Sequence, residues 1–373
     1  MKKIRYITIV VVLLTASAIE SQTGYTGAGE NGLIDNAKKH FNFAVQHKNN
    51  GNYEESLRQY QKSFSFCDTL YQVHFSYGDL LLKMENWAGA RDSFFRAFYL
   101  NPGHYDTAKI LAQLYYEKGD YDSTLVMYQH MYAGKPDNHA LLENIAGLKV
   151  YIGRTEDALA DYERLVTLGL TSYDNLMKAA KLSFKLGNAE KTSYYADMAL
   201  EEKPGNISAL TLAAQASLSC GELKTAARFY REVAEKDSQN VTILQNLETI
   251  YRKLAEHDNL IWTLECRHRL VPEDLSVLAD LSELLYARGE MERGIDYVQK
   301  GLNIDPNDGR FRILLGESYR TRGENDKALE QYRIALQDDR WKTSAQQLIW
   351  QIEPPETEEE RLEREFFTKG REK

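Results

Sequence analysis

The sequence predicts an all-α chain of stacked helix pairs, and three periodic features carry that prediction. The first is a ladder of glycines with a step of 34 residues: Gly51, Gly119, Gly153, Gly187, Gly221, Gly289 and Gly323, with Glu85 and Ala255 on the two rungs that lack glycine. Glycine accepts the backbone angles of a tight turn between helices. The second feature appears when each rung is made the fifteenth residue of its repeat. The eighth column then reads Ala44, Gly78, Ala112, Ala146, Ala180, Ala214, Glu248, Ser282 and Gly316, and the twentieth reads Ser56, Ala90, Thr124, Ala158, Thr192, Ala226, Leu260, Gly294 and Ala328. Small side chains in these columns let two helices approach closely. The third is an aromatic twenty-fourth column, with Tyr60, Phe94, Tyr128, Tyr162, Tyr230 and Tyr332. It is joined by a thirty-second column holding Pro102, Pro136, Pro204, Pro272 and Pro306. The rings fill space between repeats and the prolines stop the second helix. A strict period of this length marks a stacked helical repeat, in which no hairpin buries its apolar faces alone.

The elements follow in order. Residues 1–18 read as a signal peptide: Lys2, Lys3 and Arg5 precede a short apolar stretch from Tyr6 to Leu14, and Ala16-Ser17-Ala18 offers a cleavage site after Ala18. The apolar stretch is well short of the ~20 residues that span a bilayer. No stable membrane insertion is expected once it is removed. An uncleaved anchor is the other reading of the same segment. Residues 19–36 read as a flexible linker. Its Gly27-x-Gly29-x-x-Gly32 matches a dinucleotide-binding pattern but lacks the preceding strand and βαβ unit that pattern needs. Nine repeats follow, at 37–70, 71–104, 105–138, 139–172, 173–206, 207–240, 241–274, 275–308 and 309–342. The repeat 241–274 is degenerate, with Glu248, Ala255, Leu260 and Arg267 where small residues or glycine are expected. It reads as drift or as a hinge. Residues 343–353, with Leu348, Ile349 and Trp350, read as a capping helix, and 354–373 as a charged tail.

These columns resemble the tetratricopeptide repeat (TPR) family. The repeat from Tyr71 carries Gly78, Trp87, Ala90, Phe94, Ala97 and Pro102; the repeat from Gly309 carries Gly316, Tyr319, Gly323, Ala328, Tyr332 and Ala335. The resemblance covers about Ala37 to Lys342. It implies a right-handed superhelical solenoid of helix-turn-helix repeats, with a concave groove lined by the first helix of each, and an exported bacterial protein of that type.

Composition narrows the function. The chain has 373 residues, 43% hydrophobic, with a formal charge of −9. That charge argues against nucleic acid, whose binding leaves a basic footprint on the whole domain. Cys67, Cys220 and Cys266 are too few and too far apart for a disulfide framework, and read as small apolar residues between helices. No metalloprotease, nucleophile-elbow, phosphate-loop or kinase signature is present. No catalytic residue, cofactor or metal is therefore expected. His40 and His74 share the fourth column of adjacent repeats, but two histidines without a cysteine or carboxylate column make a poor metal site. Asn206-Ile207-Ser208 and Asn240-Val241-Thr242 match the N-glycosylation acceptor and equally suit helix capping.

The groove implied by the resemblance is where binding should lie. In the third to fifth repeats its columns include Lys109, Gln113, Tyr116, Asn144, Tyr151, Lys178, Lys181, Phe184 and Lys185, a basic, amide-bearing and aromatic strip. Some family members clamp a chain-terminal carboxylate with Lys and Asn of successive repeats, and Lys109, Asn144 and Lys178 stand at matching columns. Gln113 and Asp174 depart from that clamp. The expected function is a non-enzymatic scaffold or adaptor outside the cytoplasm, periplasmic above all, with the cell surface or secretion as other destinations. It would bind a peptide or protein partner in envelope assembly, secretion or host interaction. A self-assembling structural module and a glycan-binding solenoid using Tyr116, Tyr151 and Phe184 are the alternatives. Mass spectrometry of the protein from its native cell should find a mature amino terminus at Ile19, and an intact terminus at Met1 would contradict the cleaved leader.

Overall fold

The computed structural model describes residues 28–361. The expected leader, its cleavage point, residues 19–27 of the expected linker and residues 362–373 of the tail lie outside the described residues. The described chain is helical throughout, with no strand. Its helices come in pairs: α1 (Ala28–Asn49) with α2 (Tyr53–Phe66), α3 (Tyr71–Lys83) with α4 (Trp87–Leu100), α5 (Tyr105–Glu117) with α6 (Tyr121–Gly134), and α7 (His139–Tyr151) with α8 (Thr155–Thr167). Then come α9 (Tyr173–Lys185) with α10 (Ala189–Glu202), α11 (Ile207–Ser219) with α12 (Leu223–Lys236), and α13 (Val241–Leu254) with α14 (His257–Leu270). The series ends with α15 (Leu275–Ala287) and α16 (Met291–Ile304), α17 (Gly309–Thr321) and α18 (Asn325–Ala335), and the single helix α19 (Lys342–Ile352); residues 358–361 of the expected tail are helical as well. The first helices α3, α5, α7, α9, α11, α13, α15 and α17 begin on the residues that open the periodic columns. The exception is α1, which starts at Ala28, so residues 28–36, read from sequence as linker, are helical. Gly29 and Gly32 lie within this helix and open no strand–loop–helix unit among the described residues.

The chain divides into two compact units, one ending at Leu182 and the other beginning at Ser183. Consecutive helices pack on one another from α1 to α8 in the first unit and from α10 to α19 in the second, and first helices of adjacent pairs also touch, as α1 does α3 and α15 does α17. The turn inside each pair bends at the ladder position. Gly51 has φ +77° and Gly289 +85°, and the two non-glycine rungs adopt the same left-handed conformation, Glu85 at +60° and Ala255 at +53°. For residues with a Cβ that conformation costs roughly 1–2 kcal/mol. The fold therefore holds the turn geometry even where the sequence lacks the residue that favours it.

The core lies where the columns placed it. Ala44, Ala146, Ala180 and Ala214 of the eighth column, and Ala90, Ala158, Ala226 and Ala328 of the twentieth, are fully buried. The twenty-fourth-column rings Tyr60, Phe94, Tyr162 and Tyr332 are equally buried and lie over the small residues. A Cβ on Gly78 would stand 3.0 Å from the Phe94 ring, and one on Gly316 would overlap the Tyr332 ring. Burial pushes the Tyr60 phenol up to about 12. Its hydroxyl shares a 2.6 Å hydrogen bond with Ser76, so the buried oxygen is satisfied.

Departures in the degenerate repeat are met by compensating contacts. Arg267 donates to the carboxylate of Glu248 and, at 3.0 Å, to Asp274. Arg252 donates to Glu248 at 3.1 Å and to Asp280; Arg310 reaches Asp280 at 2.7 Å and Glu283 at 2.8 Å. Two of the four departures, Glu248 and Arg267, are thus partners of each other. The third, Leu260, is buried, and the fourth, Ala255, is the left-handed turn residue. The helices α13 and α14 pack on each other and on α12 and α15.

Several smaller readings meet the structure here. Asn206 caps α11 by accepting from Ser208 N at 3.0 Å and Ala209 N at 3.2 Å, and Asn240 caps α13 through Ile243 N at 3.2 Å. Cys266 is buried, but Cys220 is exposed and Cys67 half-buried, so only one cysteine fits the expected interior role. His40 stacks on Phe66 at 5.5 Å and meets Gln59 Oε1 at 2.8 Å; His74 stacks on Phe64 at 4.6 Å and meets the Asp68 carbonyl at 2.7 Å. Each ring is engaged within its own surroundings, and no cluster of metal-ligating residues occurs among the described residues. Helix α19 buries Ala345 and Ile349 against α17 and α18, while Trp350 stays exposed.

Glycine at either irregular rung should stabilise the chain: Glu85→Gly and Ala255→Gly are each expected to raise unfolding free energy by about 1 kcal/mol. A melting temperature that stays level or falls in both would contradict the left-handed turns. Arg267→Ala or Glu248→Ala alone should cost about 1–2 kcal/mol, because each breaks a half-buried charged hydrogen bond while the remaining charge keeps one other partner. The double variant restores two small columns and should lose clearly less than the sum of the singles; additive losses in denaturant titrations would contradict the pairing.

Candidate functional site

The burial of one side of each first helix decides what its other side can do. In α5, Thr107, Ala108, Leu111, Ala112 and Leu114 face the core. That leaves Lys109, Gln113 and Tyr116, spaced four and three residues apart, as one exposed stripe. In α7 the buried set is Leu141, Leu142, Ile145, Ala146, Leu148 and Lys149, leaving Asn144 and Tyr151 outside. In α9 the buried Asn175, Leu176, Met177, Ala179 and Ala180 leave Lys178 and Lys181 outside. Phe184 and Lys185, at the end of α9 and beyond the unit boundary, are exposed as well. All nine residues singled out in the sequence are therefore solvent-facing.

Their electrostatics are more even than the lysines suggest. Lys109, Lys178 and Lys181 share the exposed faces of these helices with Asp106, Glu117, Glu143 and Asp174. The field over the strip is mixed, not basic. Gln113 donates to Glu117 at 2.9 Å, which engages one of its two amide hydrogens. Lys178 holds its ammonium 5.4 Å from the centre of the Tyr162 ring, a cation–π contact. Burial, with Glu143 and Asp161 nearby, pushes that phenol up to about 12, so the ring beneath Lys178 stays neutral. Lys109, Asn144 and Lys181 make no hydrogen bond or ion pair among the described residues.

The aromatic residues form a connected group. Tyr121, the first residue of α6, packs edge-to-face with Tyr116 at 5.5 Å and with Tyr151 at 4.7 Å. The Tyr151 hydroxyl donates to that of Tyr121 at 3.4 Å, which holds the Tyr121 phenol above its ordinary value. Tyr116 and Tyr151 remain 54% and 69% exposed despite these contacts. Ring pairs of this kind are rigid and amphipathic, properties that suit them to recognition. One pair earlier, half-exposed Trp87 borders a cleft of about 230 Å³ with Arg91, Leu114, Glu117 and Lys118.

Comparison with known proteins gives distant similarities. No family profile matches the chain. The CTR9 homolog protein of Arabidopsis thaliana is 23% identical over 315 residues, covering 79% of this chain and 28% of its own length. The BBSome complex member BBS4 of Bos taurus is 20% identical over 288 residues, covering 77% of this chain and 47% of its own. The chain thus spans less than half the length of these curated relatives. A solved tetratricopeptide repeat protein from Parabacteroides merdae aligns with TM-score 0.37 and 18% identity, over 66% of this chain and 97% of that one. No helix among the described residues is long and apolar enough to cross a membrane.

Two features of the site escaped the sequence reading. Tyr121 and Trp87 both occupy the seventeenth column, at the start of second helices, and that column does not belong to the first-helix face. A recurring aromatic there was the available signal. The buried amide of Asn175 donates to Glu143 at 2.8 Å, tying α9 to α7. Nothing in the spacing of these two residues announced that bond.

Proposed function

We propose that this chain is a non-enzymatic scaffold, acting outside the cytoplasm, that holds a peptide segment or protein partner on the first-helix face of residues 105–182. The observation that carries the reading is the Tyr116–Tyr121–Tyr151 group, left open to solvent beside three polar side chains with no internal partner. Large exposed rings in contact with one another are costly to leave wet unless a surface covers them. Their flat, low-entropy side chains make effective anchors. The balanced charge beside them favours a partner segment of mixed charge with an apolar or aromatic anchor. It disfavours a purely acidic one, since Asp174 and Glu143 would repel a lone carboxylate. The name of the bovine relative, a member of a complex, accords with a scaffold role. The export reading rests on the basic and apolar start of the sequence, and the roles in envelope assembly, secretion or host contact follow from that location.

The test is position-specific crosslinking in the native cell. A photoreactive p-benzoylphenylalanine replacing Tyr116 or Tyr151 should capture the same partner, while one replacing Glu156 on the second helix α8 should not. Lys109→Glu with Lys178→Glu should weaken that capture at least about tenfold, because two of the three lysine charges on the face reverse. Equal capture from position 156, or none from 116 and 151, would overturn the assignment.

A further inference from the structure

Three polar residues break columns that are otherwise uncharged or apolar, and the fold brings all three to one place. Lys149 is in the eleventh column, where the other repeats carry His47, Leu81, Tyr115, Ser183, Ser217, Tyr251, Leu285 and Tyr319. Asp161 stands in a twenty-third column with no other charge, and Tyr132 in a twenty-eighth column that is mostly Phe, Val, Leu or Ala. Together with Arg164 they line a cleft of about 320 Å³ where α6, α7 and α8 meet. None of the nine residues of the first-helix face borders it. Lys149 and Tyr132 are each only 8% exposed.

The polar groups of this cleft are not self-sufficient. Lys149 Nζ lies 2.5 Å from Asp161 Oδ2, so those two charges cancel, although the buried carboxylate oxygen accepts no hydrogen bond of normal geometry. The Tyr132 hydroxyl is buried without a hydrogen-bond partner. A buried donor left unmade is costly, and such a group calls for an occupant that accepts from it. The Arg164 guanidinium lies 5.2 Å from the centre of the Tyr132 ring and has no carboxylate partner among the described residues. The uncompensated charge of the site is therefore one cation, at its mouth, beside an unfilled hydroxyl donor. Leu142 and Ile145 supply an apolar wall. A planar anion with an acceptor oxygen to spare is the complement, because guanidinium binds carboxylate in two parallel bonds.

We propose that this cleft binds a small organic monocarboxylate with a short aliphatic body, its carboxylate held by Arg164 and the Tyr132 hydroxyl and its hydrocarbon laid on Leu142 and Ile145. The cleft volume is at the low end for small-molecule sites, which favours a compact ligand. The Lys149–Asp161 pair fixes the floor and leaves a single net positive charge, so one carboxylate is accommodated and a second is not.

The experiment is ligand-observed NMR and calorimetry on the folded chain with 3-methylbutanoate as probe. Saturable binding is expected, together with at least about tenfold weaker binding in Arg164→Gln and in Tyr132→Phe, the loss of one charge-assisted bond. The neutral 3-methylbutanamide should not compete. Arg164 is exposed, so Arg164→Gln is expected to keep the wild-type melting temperature and to report on binding alone. Absence of saturable binding at millimolar probe, or binding unaffected by both substitutions, would overturn the proposal. So would binding of a leucine-terminated peptide through its free carboxylate where the small acid fails, because the occupant would then be a partner chain. The first-helix lysine variants should leave probe binding unchanged, which separates this site from the proposed scaffold face.

Discussion

Everything in this chain depends on how closely the two helices of a pair can approach. The approach is set where an eighth-column residue with almost no side chain meets the twenty-fourth-column ring of the same repeat. Gly78 against Phe94 and Gly316 against Tyr332 show the limit: a single Cβ would already press on or overlap the ring. Because each pair is only two helices thick, it buries one side internally and must lend the other to its neighbours. A pair held too far apart would leave gaps on both sides. The small column, the ring column and the left-handed turn are three parts of one constraint, and they recur together for that reason.

This explains which parts of the molecule were legible in the sequence. Residues such as Ala226, Phe94 and Tyr332 have no freedom, so their types recur at a fixed step and their positions could be read directly. The turn was legible from the glycine ladder, but that Glu85 and Ala255 adopt the same left-handed conformation was not, because the ladder marks them only as rungs without glycine. The start of α1 was not legible, since residues 28–36 lie outside the period and carry glycines that argue against helix. Glu248 and Arg267 looked like unrelated lapses, because the columns compare a residue with its equivalents and not with the partner that compensates it. The exposed face was legible as a set of positions only. That all nine residues face solvent follows from helical spacing. That Tyr121 joins Tyr116 to Tyr151, or that four carboxylates balance the lysines, depends on contacts between columns that the period does not fix.

Most arginines among the described residues are paired, whereas two lysines of the first-helix face are not. In the later part of the chain, arginines at 252, 267, 288, 293, 310, 320 and 322 are each bound to a carboxylate. Such a surface is committed to itself, and a partner would have to break existing pairs to use it. On the first-helix face of residues 105–182, Lys109 and Lys181 are free of such pairs, and the nearby rings are wet. Exposed salt bridges contribute little to stability singly. Their larger consequence here is to mark which cations are available to a partner and which are not.

The scaffold face and the carboxylate cleft meet in one helix without sharing a side chain. Asn144 and Lys149 are five residues apart on α7, which at 3.6 residues per turn separates their directions by about 140°. One faces solvent with the tyrosines, and the other turns into the junction with α8 and its Asp161. A ligand in the cleft could influence a partner on the opposite face only if α7 had two arrangements that the ligand told apart. Ala146 of α7 and the Tyr162 ring of α8 are both fully buried, and such packing gives α7 little room for a second arrangement. The geometry therefore favours two independent sites on a stiff helix pair, each formed where the repeat leaves its columns unconstrained.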